Sequence, residues 1–276
     1  MDSLNKEQAL ETAFSAAEAG AGELMSGYGR RPQVRHKGTS DLVTEYDLRS
    51  EAIIRQIVGR AFPDHLIVGE EEGASGSAGA AYKWYVDPLD GTTNFVHGHP
   101  FFAVSICLAA LGPDGREEPL VGVIQAPALG DLYWGLKGHG AFRRLRLPGR
   151  RPRESRLAVT ETADLRSACL NTGFPYDIYS RGGEVLPPFS ELIMAARTIR
   201  RAGSAALDMA YVATGLADGF WETGLKPWDV AGGMVLLTEA GGQVSDYQGR
   251  PYQLGRSRDI LGSNGWLHPV ILEYLK

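Results

Sequence analysis

The chain has 276 residues and 29.9 kDa, with 43% hydrophobic residues, and 28 Lys and Arg against 33 Asp and Glu give a formal net charge of −5. At roughly 100 to 200 residues per domain this allows one large or two intimate domains, and the composition excludes a disordered or fibrous chain. No apolar stretch reaches the roughly 18 residues of a membrane span, and the N-terminal stretch carries acids where a signal peptide carries basic and apolar regions, so a cytoplasmic protein without a membrane partner is expected.

From Glu7 to Met25 apolar residues recur at helical spacing (Leu10, Ala13, Phe14, Ala17, Leu24) and predict a first helix, which Gly27 and Gly29 end. Leu48, Ala52, Ile53, Ile57, Val58 and Ala61 predict a second over Asp47 to Phe62, closed by Pro63 and Asp64. Strand-like runs follow at 65–68, 82–86, 103–111, 120–125 and 132–136, with a glycine-rich loop over Gly73 to Ala81. After about Leu157 strands and helices alternate: strands at Leu157–Thr160, near Cys169, at Gly219–Glu222 and at Gln243–Asp246; helices within Pro188–Ile199, at Ser204–Ala213 and at Val230–Ala240. An α+β half over residues 1–142 and an α/β half over 157–276 are expected, with a ligand crevice between them. Cys107 and Cys169 sit in apolar runs and read as reduced core thiols.

The connecting segment Arg143 to Arg156 carries seven Arg and one Glu, leaving a charge of −11 on the rest of the chain. Such a run is usually a solvated loop or hairpin tip. An anion or nucleic-acid patch is the competing reading, but no aromatic residue is interleaved to stack on bases, so a nucleic-acid partner is not expected.

The densest chemical signal is Trp84 to Phe95 (WYVDPLDGTTNF). A strand is expected to end in Asp87, Pro88, Leu89 and Asp90, with Pro88 stiffening a turn that aims both carboxylates at one point. Paired oxygen ligands on a stiff turn suit a hard divalent cation such as Mg²⁺. Gly91 and Thr92 then offer adjacent amides and a hydroxyl, a nest suited to phosphate. An isolated Asp-Gly pair is an ordinary turn, but the whole string should arise by chance in on the order of one in 10⁵ chains this long. A second acidic cluster, Glu70, Glu71 and Glu72, follows the 65–68 strand, and Asp229 opens the last predicted amphipathic helix as a cap or a ligand. His97 and His99 lack the partners of a zinc set.

Val86 to His97 (VDPLDGTTNFVH) and Trp228 to Gly242 (WDVAGGMVLLTEAGG) resemble the two signature motifs of the inositol monophosphatase family of Mg²⁺-dependent, lithium-sensitive phosphatases. Thr44 to Asp47, Gly69 to Glu71, Asn171 to Tyr176 and Arg200 to Ala206 match as well, in the expected order, so the similarity runs from about residue 5 to the C-terminus. The resemblance implies a layered αβαβα sandwich, two to three Mg²⁺ ions per site and a homodimer. It implies that Glu70, Asp87 and the Leu89 carbonyl hold a first metal, that Asp87, Asp90 and Asp229 hold a second, and that a third, weaker ion sits near Glu70. It assigns Asp47 and Thr92 to activating the attacking water, the Gly91 and Thr92 amides to phosphate, and Asp90, Ala205 and Glu222 to substrate hydroxyls. Lys37 and Glu71 match supporting charges.

Five carboxylates around a phosphate dianion would repel it unless cations inverted the local charge, so the acids themselves imply the metal. Hydrolysis of a small phosphorylated polyol, myo-inositol monophosphate first, is the expected activity. Fructose 1,6-bisphosphate, histidinol phosphate or a nucleotide 3'-phosphate is the alternative within the same mechanism. A module that binds RNA or protein through its Arg-rich segment is the alternative from another class.

Overall fold

The computed structural model describes residues 4–36 and 42–276. Two helices lead: α1 (Lys6–Gly27), capped by Asn5, whose side chain accepts from Gln8 N, and α2 (Glu45–Ala61). Between them β1 (Val34–His36) and β2 (Leu42–Thr44) form a small antiparallel ribbon. The helices pack closely because small residues face large ones: a Cβ on Gly27 would run into the Tyr46 ring, and one on Gly20 would lie 2.8 Å from Ile54 and Ser50.

The next strands make one eight-stranded sheet: β3 (Leu66–Gly69), β4 (Gly73–Gly76), β5 (Tyr82–Asp90), and, after the short α3 (Thr92–Val96), β6 (Ala103–Leu111), β7 (Glu117–Ala126), β8 (Asp131–Leu136), β9 (Gly140–Leu145) and β10 (Arg153–Arg156). Their order is β10-β9-β8-β7-β6-β5-β3-β4, antiparallel except where β3 runs parallel to β5. Alternation along each strand divides the two faces. Trp84, Val86, Val104, Ile106, Leu108, Val121 and Val123 pack under α1 and α2, whereas Tyr85, Cys107, Ala109 and Ile124 face the other way.

The second sheet contains β11 (Cys169–Thr172), β12 (Thr198–Arg200), β13 (Gly219–Thr223), β14 (Gln243–Ser245) and β15 (Asp259–Ser263), in the order β12-β11-β13-β15-β14. Its helices are α4 (Ile178–Ala195), α5 (Ala205–Ala213), α6 (Pro227–Glu239) and α7 (His268–Leu275). Helices α5 and α6 fill the space between the sheets, while α4 and α7 cover the outer face of the second. The layers therefore read helix, sheet, helix, sheet, helix, as the resemblance implied. No helix among the described residues is long and apolar enough to cross a membrane.

Glycines set the depth of the middle layer. A Cβ on Gly122 would stand 2.5 Å from the carbonyl oxygen of Gly232, and one on Gly233 would stand 2.6 Å from Met209 of α5. Helix α6 thus lies backbone-close to β7 on one side and to α5 on the other.

Several expectations shift. The Gly73–Ala81 loop contains an edge strand, β4, paired with β3. Leu157–Thr160 forms no strand; the amides of Leu157 and Val159 donate to the carbonyls of Ala141 and Ala240 instead. Helix α4 begins ten residues before Pro188 and carries Pro187 and Pro188 inside it. Arg143–Arg156 is an edge hairpin of the first sheet, β9 pairing with β10, and Arg143 and Arg144 are ion-paired with Asp131 and Glu154 at 2.7 Å. The connection between the sheets follows that hairpin.

Candidate active site

A cavity of about 770 Å³ opens where the first sheet, its α3 turn, α5, α6 and the end of β13 meet. Its first wall comes from β5. The strand does not stop at Val86: it pairs with β6 through Asp87, opposite Ser105, and again at Asp90, opposite Ala103, with a one-residue bulge between. In a regular strand residues three apart point to opposite faces, and the extra residue removes that alternation, so Asp87 and Asp90 both line the cavity. Leu89 N donates to Asp87 Oδ1 at 3.0 Å, and Ser50 Oγ of α2 donates to the Pro88 carbonyl at 3.0 Å, which fixes the bulge.

Gly91 follows with φ of +95°, a left-handed conformation that only glycine adopts without strain, and starts α3. Thr92 Oγ1 lies 3.1 Å from Asp47 Oδ1 and 3.1 Å from the Leu89 carbonyl. Asp47 belongs to a capping box at the start of α2: its Oδ2 accepts from Thr44 N at 2.8 Å and from the Thr44 hydroxyl. Burial, helped by the Glu70 charge, raises its pKa to about 6 against the pull of the Thr44 and Thr92 bonds.

Glu70 enters from the turn after β3. Sequence reasoning missed what positions it. Glu51, fully buried on α2, accepts Glu71 N at 2.7 Å and Glu72 N at 2.9 Å, while Arg55 Nε donates to Glu51 at 2.8 Å. A Cβ on Gly69 would overlap the Glu51 carboxylate, which accounts for the glycine there. The Glu71 amide serves this turn, and Glu71 is absent from the cavity lining; Lys37 lies outside the described residues.

The second wall comes from the middle layer. Ser204 caps α5, and its Oγ donates to Asp90 Oδ2 at 2.6 Å, joined by Ala206 N at 2.7 Å. Burial still lifts Asp90 to about 6 against these bonds. Asn94 Nδ2, also missed, donates to the carbonyls of Phe101 at 2.6 Å and Ala202 at 2.8 Å, tying α3 to the loop before α5. Asp229 occupies the first turn of α6, after Pro227, and accepts from Lys226 N at 2.7 Å. It is therefore a first-turn residue rather than the cap itself.

Ala205 and Glu222 line the far side. Burial, then Asp90, pushes Glu222 up to about 8, and Arg201 pulls it down. A Cβ on Gly173 would overlap the Glu222 carboxylate, so the glycine makes room for the acid. His97 and His99 are exposed and outside the lining.

Glu70, Asp87, Asp90 and Asp229 thus face one space from two elements, β5 and α6, and the turn after β3. The Asp87 carboxyl is raised far above its ordinary value by burial first, then by Glu70, Asp90 and Asp229. Among the described residues no three acids close into a finished ligand cluster. A hard cation among these oxygens would reverse each of the three repulsions, so the donor set fits Mg²⁺.

The model of the inositol monophosphatase family matches residues 5–276. Among relatives, an inositol-1-monophosphatase of Synechocystis sp. (strain ATCC 27184 / PCC 6803 / Kazusa) is 40% identical, over 96% of this chain and 88% of that one. A fructose-1,6-bisphosphatase/inositol-1-monophosphatase of Aquifex aeolicus (strain VF5) is 38% identical, over 99% of this chain and 97% of that one. Among solved structures, the inositol monophosphatase from Anabaena (Nostoc) sp. PCC 7120 superimposes with a TM-score of 0.83 at 38% identity, covering 99% and 96% of the two chains.

Proposed function

The chain belongs to the inositol monophosphatase family and is a phosphatase, and from that premise we propose that it hydrolyses myo-inositol monophosphates with Mg²⁺ as cofactor. The observation that carries this reading is the convergence of Glu70, Asp87, Asp90 and Asp229 on one cavity that also presents the Gly91–Thr92 turn.

Glu70, Asp87, the Leu89 carbonyl, Asp90 and Asp229 would hold the Mg²⁺ ions, which supply positive charge to the phosphate oxygens, the attacking water and the departing alkoxide. The first-turn amides of α3 point their donors at the phosphate, and Gly91 lets the backbone approach it. Thr92, hydrogen-bonded to Asp47, takes the proton of the attacking water and passes it to that carboxylate. Water adds to phosphorus opposite the ester oxygen, the P–O bond breaks, and the alkoxide is protonated by solvent, giving alcohol and inorganic phosphate. Glu222, Ala205 and Asp90 contact the hydroxyls of the alcohol.

The exposed apolar residues Tyr179, Ile193 and Met194 of α4 support a homodimer in which a second copy covers that face, and light scattering reads the mass directly. The function itself is tested by phosphate release from inositol 1-phosphate, fructose 1,6-bisphosphate, histidinol phosphate and adenosine 3',5'-bisphosphate, each with Mg²⁺, with chelator and with added lithium. Mg²⁺-dependent, lithium-inhibited release led by inositol 1-phosphate is expected. Release led by another ester replaces the substrate, and release indifferent to chelator removes the mechanism.

A further inference from the structure

One buried acid beside the polyol end of the cavity has no role so far. Asp208 lies in the first turn of α5, is 1% exposed and lines the cavity, and its Oδ1 atom has no hydrogen-bond partner among the described residues. The other such atom, the Tyr133 hydroxyl oxygen, belongs to the core between β8 and the middle helices and does not line the cavity. An unsatisfied buried carboxylate oxygen is costly and asks for a partner.

The fold indicates where that partner stands. Ser204 and Asp208 are four residues apart, on one face of the helix start, and Ser204 already donates to Asp90. Asp208 therefore follows Ser204, the residue that holds Asp90, one turn further along α5. Glu222 and Asp90 both act electrostatically on Asp208, while Arg201, also on the cavity lining, counters them. The orphan oxygen thus belongs to a cavity-lining group that feels the charges of Asp90 and Glu222, the two acids assigned above to the alcohol part of a substrate.

Resting on the phosphatase reading above, we propose that Asp208 is a specificity residue: it accepts a hydrogen bond from a substrate hydroxyl next to the one contacted by Glu222. Two neighbouring hydroxyls are then read by two carboxylates, and a phosphate ester without them leaves a buried acceptor unpaired. A site built to bond a hydroxyl rejects the analogue that lacks it far better than an apolar pocket does.

The test compares inositol 1-phosphate with p-nitrophenyl phosphate, whose alcohol part carries no free hydroxyl, in wild type and in Asp208→Asn and Asp208→Leu. The expected result is a fall of about 10- to 100-fold in kcat/KM for inositol 1-phosphate, mostly through KM, with p-nitrophenyl phosphate within about threefold. Free myo-inositol should inhibit wild-type hydrolysis of p-nitrophenyl phosphate and lose about tenfold or more in that inhibition in Asp208→Asn, a readout that a merely structural residue would not move. Equal falls on both substrates, or no change on either, overturn the proposal. Wild-type, Mg²⁺-dependent turnover of p-nitrophenyl phosphate with no preference for the polyol ester overturns it while the phosphatase reading stands. No turnover of either ester by wild type overturns both.

Discussion

The two walls of the cavity are built differently. On the wall that faces phosphate, two acids are fixed by neighbours close in sequence, Asp47 by its capping box and Asp87 by the Leu89 amide two residues on, and Glu51 of the preceding helix holds the two amides that follow Glu70. On the wall that faces the alcohol, Glu222, Asp208 and Gly173 come from β13, α5 and the loop after β11, and packing alone brings them together. Local fixing gives stiff geometry for a reaction that is the same for every ester. A wall assembled at long range can change one side chain at a time and so change the alcohol it accepts without disturbing the chemistry.

The largest effect that could break this contrast lies on the first wall. Asp87→Asn should lower phosphate release by about 10³-fold or more while leaving the melting temperature unchanged or higher, because it neutralises a buried carboxylate that Glu70, Asp90 and Asp229 all oppose. Activity within tenfold of wild type would remove Asp87 from the site. Glu51→Gln comes next. It touches nothing in the cavity, yet it should cost about 10- to 100-fold in kcat/KM and raise the Mg²⁺ needed for half-maximal rate, because the Glu70 turn loses a charged acceptor. It also takes from Arg55 its buried carboxylate partner, leaving Ser75 Oγ, the Gly73 carbonyl and Glu72, so a loss of about 2 kcal/mol in urea unfolding accompanies it. Wild-type Mg²⁺ dependence in this variant would show that the turn does not depend on Glu51.

Gly122→Ala tests the support common to both walls. Its Cβ would press on the Gly232 carbonyl and lift α6, the helix that carries Asp229, so about 1 to 3 kcal/mol of stability and a smaller share of activity should be lost together. A stable variant with full activity would mean that the depth of α6 on the sheet does not set the position of Asp229.

The first wall was also the legible one. Asp87 and Asp90 stand in one string with turn residues between them, and only the mechanism of convergence differed: a bulge inside β5 in place of a proline turn at its end, which strand propensity does not encode. Glu51 and Asp208 were overlooked because each lies inside an ordinary helical pattern. A signal existed in both cases. Glu51 shares the α2 face of Ile54 and Val58, and Asp208 is the one charged residue of an otherwise apolar nine-residue helix, so each is an acid on a face that periodicity assigns to the core. The spacing of α6 from the sheet was unreadable for another reason: Gly122, Gly232 and Gly233 act by permitting contact, and which backbones approach is decided by topology.

The smallest effect at neutral pH separates the site from the fold that carries it. His268, 1% exposed at the start of α7, bonds Ser245 Oγ and Ser263 Oγ at 2.8 Å each and so ties β14 and β15 to the outer helix, outside the cavity lining. Burial lowers its pKa from 6.5 to about 4, so between those values the unfolded chain binds a proton that the folded chain refuses. Stability is therefore complete above about pH 6.5 and declines as pH falls towards 4, by up to about 3 kcal/mol from this one group. Unfolding of wild type and His268→Gln followed in parallel from pH 7 to pH 4.5 should converge as pH drops, with wild type the more stable at pH 7. Curves that stay parallel would mean that the acid sensitivity of the second sheet arises elsewhere, and its link to the outer helix through His268 would lose its energetic basis.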